Sequence, residues 1–126
     1  MNALVVDTSS WISFFRGSSG SFIEDYMAVG GVLLAPVVCA KLLSAPLKKG
    51  ERERLVHLLA SLPLHSCALE HWVRVGLLRE KLAKVGVVVS TPDAHVAQCA
   101  IDADARLLTE DKLFTHVARN SALNLL

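Results

Sequence analysis

Residues 4 to 15 read LVVDTSSWISFF, and the fold is decided there. Together with Ala3, the residues Leu4, Val5 and Val6 make a short apolar run of the kind that forms a strand buried on both faces. Thr8, Ser9 and Ser10 offer side-chain oxygens able to cap a helix, and Trp11, Ile12 and Phe15 give that helix an apolar side. A strand running straight into a helix is the repeating unit of a parallel sheet.

Working outward, similar short runs occur at Val32 to Leu34 and Arg106 to Leu108, with a weaker one at Leu123 to Leu125. Each lies beside a stretch of helical pattern, so the spacing predicts an α/β chain: a three-layer α/β/α arrangement with a short parallel sheet flanked by helices. Val75, Leu78, Leu82 and Val85 recur at helical spacing opposite Arg74, Lys81 and Lys84, which predicts the longest helix over residues 69 to 85. Leu55, Leu58 and Leu59 predict another over residues 51 to 61, closed by Pro63 because proline cannot donate to a continuing helix.

Composition narrows the classes. With 126 residues and 52% hydrophobic content, the chain has the size and apolar supply of one domain spanning 1 to 126. The most polar loop, Arg16 to Ser21, is too short to separate two cores. Thirteen basic residues against twelve acidic ones leave a formal charge of +1, so the overall balance does not announce a nucleic-acid binder. Lys48, Lys49, Arg52 and Arg54 make the nearest basic patch, but Glu51 and Glu53 interleave with it, and a solvated helix start explains it equally well. Cys39, Cys67 and Cys99 are far apart and form no CxxC pair, which argues against a disulfide framework and a structural zinc, and for a reducing cytoplasm. A basic leader before an apolar run and a bilayer-length span are both missing from the pattern, so neither secretion nor membrane insertion is expected. The five histidines lack HxxxH spacing, and His95 is expected on a polar helix face, so no histidine enters the chemistry.

Three aspartates look out of place. Asp7 stands at the end of the first strand, where open parallel sheets bind ligands, although a plain helix cap explains it too. Thr91, Pro92 and Asp93 read as cap, first residue and first-turn acid of a helix. At about 100° per residue, Asp93 shares a stripe with Ala97, Ala100 and Ile101, opposite His95, Gln98 and Asp102, which puts its carboxylate in a cleft or the interior. Asp111 follows the third strand through a turn of Thr109 and Glu110. Three carboxylates emerging at one sheet edge would repel without a cation among them, and oxygen-only ligation suits Mg²⁺ or Mn²⁺. Ser9 and Thr109 stand where a hydroxyl could position a phosphate or a water, although cap and turn roles explain them about as well.

Residues 4 to 15 (LVVDTSSWISFF), 91 to 100 (TPDAHVAQCA) and 107 to 114 (LLTEDKLF) resemble the first, third and fourth signature blocks of PIN domains, in order and at the usual spacing. The chain length resembles that of VapC toxins. The resemblance implies that Asp7, Asp93 and Asp111 are acidic site residues of a metal-dependent ribonuclease, the toxin of a type II toxin-antitoxin system. It further implies a homodimer and a cognate antitoxin seated near the site. The family's second block is a helix carrying a Glu, and residues 36 to 45 (PVVCAKLLSA) match its setting with Lys41 in that place. The apolar neighbours of Lys41 predict a largely buried helix, so that its ammonium would compete with a metal; a surface lysine laying its stem over apolar neighbours is the plainer alternative. Such a replacement fits a naturally weakened member and a deliberate inactivating change equally. A non-catalytic RNA- or antitoxin-binding module is the competing function. A phosphotransferase with Asp7 as nucleophile is disfavoured, because residue 9 is Ser where a second acid is expected.

Overall fold

Leu4, Val5 and Val6 form strand β1 (Leu4–Val6), buried along its whole length because it is an inner strand. It pairs in parallel with β2 (Val32–Leu33) on one side and β3 (Arg106–Leu108) on the other, and β4 (Asn124–Leu125) pairs in parallel with β3. The order is therefore β2-β1-β3-β4, and the α/β class expected from the alternation of runs holds. Beyond β2, Leu34 makes a parallel bridge to Leu64, so the segment after α4 (Lys49–Ala60) is stitched to the sheet edge. Its bonds are Leu34 N–H to Pro63 O (2.8 Å) and His65 N–H to Leu34 O (2.9 Å).

This computed structural model describes residues 2–17 and 21–126, so residues 18–20 of the polar loop expected at Arg16 to Ser21 lie outside the described residues. The remaining helices are α1 (Thr8–Phe15), α2 (Ser21–Ala28), α3 (Pro36–Leu43), α5 (Leu69–Ala83), α6 (Thr91–Asp102) and α7 (Leu113–Arg119). As expected, α5 is the longest helix, and α4 ends shortly before Pro63. The basic cluster at Lys48 to Arg54 is the solvated start of α4, where Glu51 accepts from the Lys48 N–H at 3.1 Å.

Two helix starts fall one residue ahead of the hydroxyl caps the sequence offered. Asp7, for which a cap role was the alternative reading, and not Thr8, Ser9 or Ser10, takes the N-cap position of α1, without a side-chain cap bond. Ser90, rather than Thr91, caps α6, and its Oγ accepts from the Asp93 N–H at 3.2 Å. Both shifts have one cause: the cap is the last residue with extended backbone, and side-chain chemistry alone does not mark it.

Helix α6 also corrects the expected polar face. Every residue from Ala94 to Ala100 is buried, including His95 and Gln98 at 1% and 6% exposure. The helix packs on β1 and β3 and also on α5 and α3, so it has no solvent side. Ala94, Ala97 and Ala100 let the neighbouring backbones come close, while His95 and Asp102 pair with α5 and Gln98 donates to Asp102. Helix α3 errs the other way. Val38 and Leu42 are buried at i, i+4, but Ala40 and Lys41 are exposed, so the helix is half-buried. Its eight residues dock through one stripe onto α1, α4 and α6 and leave the opposite side to water.

Leu107 in β3 is fully buried, whereas Val88 in the α5 to α6 connection is 81% exposed. Leu107→Ala should cost about 2–5 kcal/mol in denaturant unfolding. Val88→Ala should stay within about 0.5 kcal/mol. Equal losses would show that β3 is not part of the core.

Candidate active site at the carboxyl edge of the sheet

The chain leaves β1 toward β2 on one side and later returns to place β3 on the other, so the sheet order reverses between β1 and β3. Ligands of open parallel sheets bind outside the carboxyl ends of the strands at such a point. Asp7 leaves β1 there, and its N–H donates to Leu108 O at 2.9 Å, carrying the pairing one step past the strands. That bond sets Asp7 against the residues that follow β3. Thr109 donates to Asp7 Oδ2 at 3.0 Å and Ser9 donates to the same oxygen at 3.2 Å. The Thr109 hydroxyl also accepts from the Asp111 N–H (3.0 Å), Ser9 accepts from the Glu110 N–H (3.1 Å), and Ser13 donates to Glu110.

Ser9 and Thr109 are thus bound to Asp7 itself. Asp7 is 4% exposed, and its second oxygen, Oδ1, is buried without a hydrogen-bond partner among the described residues. A buried carboxylate oxygen left unpaired is costly, and a cation is the group that satisfies it most fully. The residues present therefore fit a hard divalent ion on the side of Asp7 Oδ1.

The other predicted residues are placed less tightly. Asp93 is half-buried in the first turn of α6, which runs back against the strand direction and so begins at the same sheet edge. Asp111 is exposed, and its Oδ1 accepts from the Leu113 N–H at 2.9 Å, which turns the carboxylate toward the start of α7. Lys41 is exposed in the last turn of α3 and makes no ion pair among the described residues. Asp7, Asp93 and Asp111 are not drawn into one set close enough to share an ion; among the described residues that set is His65, Cys67, His71 and Cys99, whose ligand atoms lie within 4.8 Å of one another. The sequence reading, which excluded histidines and zinc, missed these four. The His-x-Cys spacing at 65 and 67 was the one local sign of them, and it is weak because the other two ligands are far along the chain.

The same region holds a polar seam between α5 and α6. Asp102 accepts from Arg74 Nε (2.9 Å), Arg74 Nη2 (3.0 Å), Gln98 Nε2 (2.8 Å) and His71 Nδ1 (2.9 Å). Burial pushes the Asp102 carboxyl up, but the hydrogen bonds from Arg74, Gln98 and His71 outweigh it and hold it at about 2. His71 Nε2 lies 2.8 Å from His95 Nδ1, and the Trp72 ring stacks on His95 with centroids 4.7 Å apart. Burial, helped by His71 and His65, lowers His95 to about 4, so its ring is neutral at pH 7.

The sequence matches the PIN domain family over residues 4–120. The chain belongs to that family. No curated protein matches it by sequence. Among solved structures, the PIN chain is similar to one in VapBC2 from Rickettsia felis bound to a promoter DNA fragment, with TM-score 0.80, 18% identity, and coverage of 98% of this chain and 97% of that one. A chain of VapBC-1 from nontypeable Haemophilus influenzae matches with TM-score 0.78, 15% identity, and coverage of 98% and 96%. For DNA-bound VapBC from Salmonella typhimurium the values are 0.74, 15%, 100% and 98%. At these identities the likeness is one of fold.

The unpaired Oδ1 generates a test. Asp7→Asn removes a buried charge, so in chelator it should leave stability unchanged or raise it by about 1 kcal/mol. Thermal unfolding reads this directly. A loss of more than about 2 kcal/mol would mean that the carboxylate is satisfied as it stands.

Proposed function

We propose that this PIN domain, acting as one unit over residues 1 to 126, is the toxin of a VapC-type toxin-antitoxin pair. Its chemistry is cytoplasmic endoribonuclease chemistry, weakened by Lys41. The observation that carries the reading is the buried, unpartnered oxygen of Asp7 at the switch point of the sheet, a costly feature that metal ligation explains. The similarity to chains of VapBC structures supports the toxin reading.

Asp7 would hold Mg²⁺ or Mn²⁺, with Asp93 and Asp111 drawn in from their present separate positions, and the ion would supply Lewis acidity and charge neutralisation for cleaving an RNA phosphodiester. Thr109 and Ser9 keep Asp7 oriented through Oδ2, which leaves Oδ1 as the oxygen that would ligate a metal. Asp93 stands in the first turn of α6, a position that suits an acidic side chain. To take part, Asp111 would have to give up its bond to the Leu113 N–H.

The antitoxin reading is supported by an apolar groove of about 280 Å³ between α1 and α4, lined by Phe15, Leu47, Leu55 and Leu58 with Glu51 and Arg54 on it. A homodimer is supported by the outer face of α5, where Leu69, Trp72, Val73 and Leu77 are exposed at helical spacing. Light scattering at micromolar concentration should report the dimer. A monomer alone would remove that part of the reading.

One observation favours a second reading, a non-catalytic module that binds RNA or antitoxin: Lys41 stands where the family carries a Glu, leaving three acids rather than four. Reverting it decides between them. Lys41→Glu should raise Mg²⁺- or Mn²⁺-dependent cleavage of structured RNA by at least ~10 to 100-fold over the present sequence, the usual scale for a lost ligand or its support. Lys41→Glu/Asp93→Asn should be inactive. Equal activity of the Lys and Glu forms, or activity surviving in the double variant, would place position 41 outside the chemistry.

A further inference from the structure

Away from the carboxylate edge, two imidazoles and two thiols from three parts of the chain meet. His65 and Cys67 come from the segment between α4 and α5, pinned to the sheet by the His65 N–H to Leu34 O bond. His71 lies in the first turn of α5, and Cys99 lies within α6, six residues and about 9 Å of helix axis beyond Asp93. His71 and Cys99 are buried and the other two are half-buried, with all four ligand atoms within 4.8 Å of one another. We propose that His65, Cys67, His71 and Cys99 form a tetrahedral zinc site that fastens the α4 to α5 segment and α5 onto α6.

Four features fit that ion. Two thiolates and two neutral imidazoles are a common donor set for structural zinc, and two thiolates leave the buried site without net charge. Asp102 accepts from His71 Nδ1, the carboxylate support that orients a ligating histidine and leaves Nε2 to face the metal. His71 Nε2 exchanges its 2.8 Å contact with His95 for the zinc bond. Zinc bonds of about 2.0–2.3 Å need donors about 3.3–3.8 Å apart, so the set closes by about 1 Å, and the non-helical segment carrying His65 and Cys67 absorbs that movement.

The chemistry also separates the two ends of α6. Hard carboxylate oxygens suit Mg²⁺ or Mn²⁺, whereas sulfur and imidazole nitrogen select zinc. In the metal-free chain burial raises both Cys67 and Cys99, so they are thiols, and each surrenders its proton to solvent as the metal binds. Two protons leave for one Zn²⁺ taken up.

Cobalt titration of the reduced, chelator-stripped full chain tests the site. One Co²⁺ per chain should bind with tetrahedral d–d bands and thiolate-to-cobalt charge transfer, and Zn²⁺ should displace it. Cys67→Ser, in a half-buried loop position, should weaken binding at least ~100-fold and remove half of the charge-transfer intensity, with folding checked by circular dichroism. Asp102→Asn should weaken binding ~10 to 100-fold, and Asp7→Asn should leave the cobalt spectrum unchanged. An octahedral spectrum without thiolate charge transfer, uptake indifferent to Cys67→Ser, or no uptake by the folded chain would overturn the proposal. So would a Cys67 to Cys99 disulfide formed in place of metal binding.

Discussion

The parallel pairing of β1 with β3 is the contact on which the molecule depends. Val5 faces Leu107 in register, both are fully buried, and strand neighbours alone cover their edges. Because the register carries on through the Asp7 N–H to Leu108 O, Asp7 has no freedom to sit anywhere but opposite Thr109. The hydrogen bonds around Asp7 Oδ2, the capping of α1 and the turn into α7 all follow from that alignment. A slip of one residue would send Asp7 to the other face of the sheet.

Helix α6 carries the second constraint, since it is buried on every side yet contains His95, Gln98 and Cys99. Polar groups inside a protein must be paired or they cost more than the packing returns. Here α5 supplies His71 as the partner of His95, and His71 and Arg74 as partners of Asp102, while Gln98 donates to Asp102 within α6 itself. The polar seam thus sets the rotation of α6 about its axis. That rotation brings Cys99 to His65 and His71.

Lys41 behaves differently from a buried charge. Its ammonium is exposed and forms no ion pair among the described residues, so its interactions with other charges are screened by solvent. The half-buried α3 makes this arrangement inexpensive: one stripe, Val38 and Leu42, docks the helix while position 41 tolerates any polar group.

Local pattern in the sequence determined the class of the fold, the four strands to within a residue or two, the long α5, and the strand-end position of Asp7 and Asp111. These depend on periodicity and on apolar runs, which a chain carries wherever it is read. Which residue caps α1 and α6 depended on backbone angles that neighbouring elements impose. Tertiary structure alone decided that His95 and Gln98 are interior, because a helix read by itself has a polar face whereas this one has α5 lying over it. It alone decided that Asp111 turns to α7, since the carboxylate answers to an N–H created by the next helix. The cluster of His65, Cys67, His71 and Cys99 was out of reach for the same reason: its ligands lie up to 34 positions apart in sequence, and only the packing of α5 on α6 and the Leu34 to Leu64 bridge bring them together.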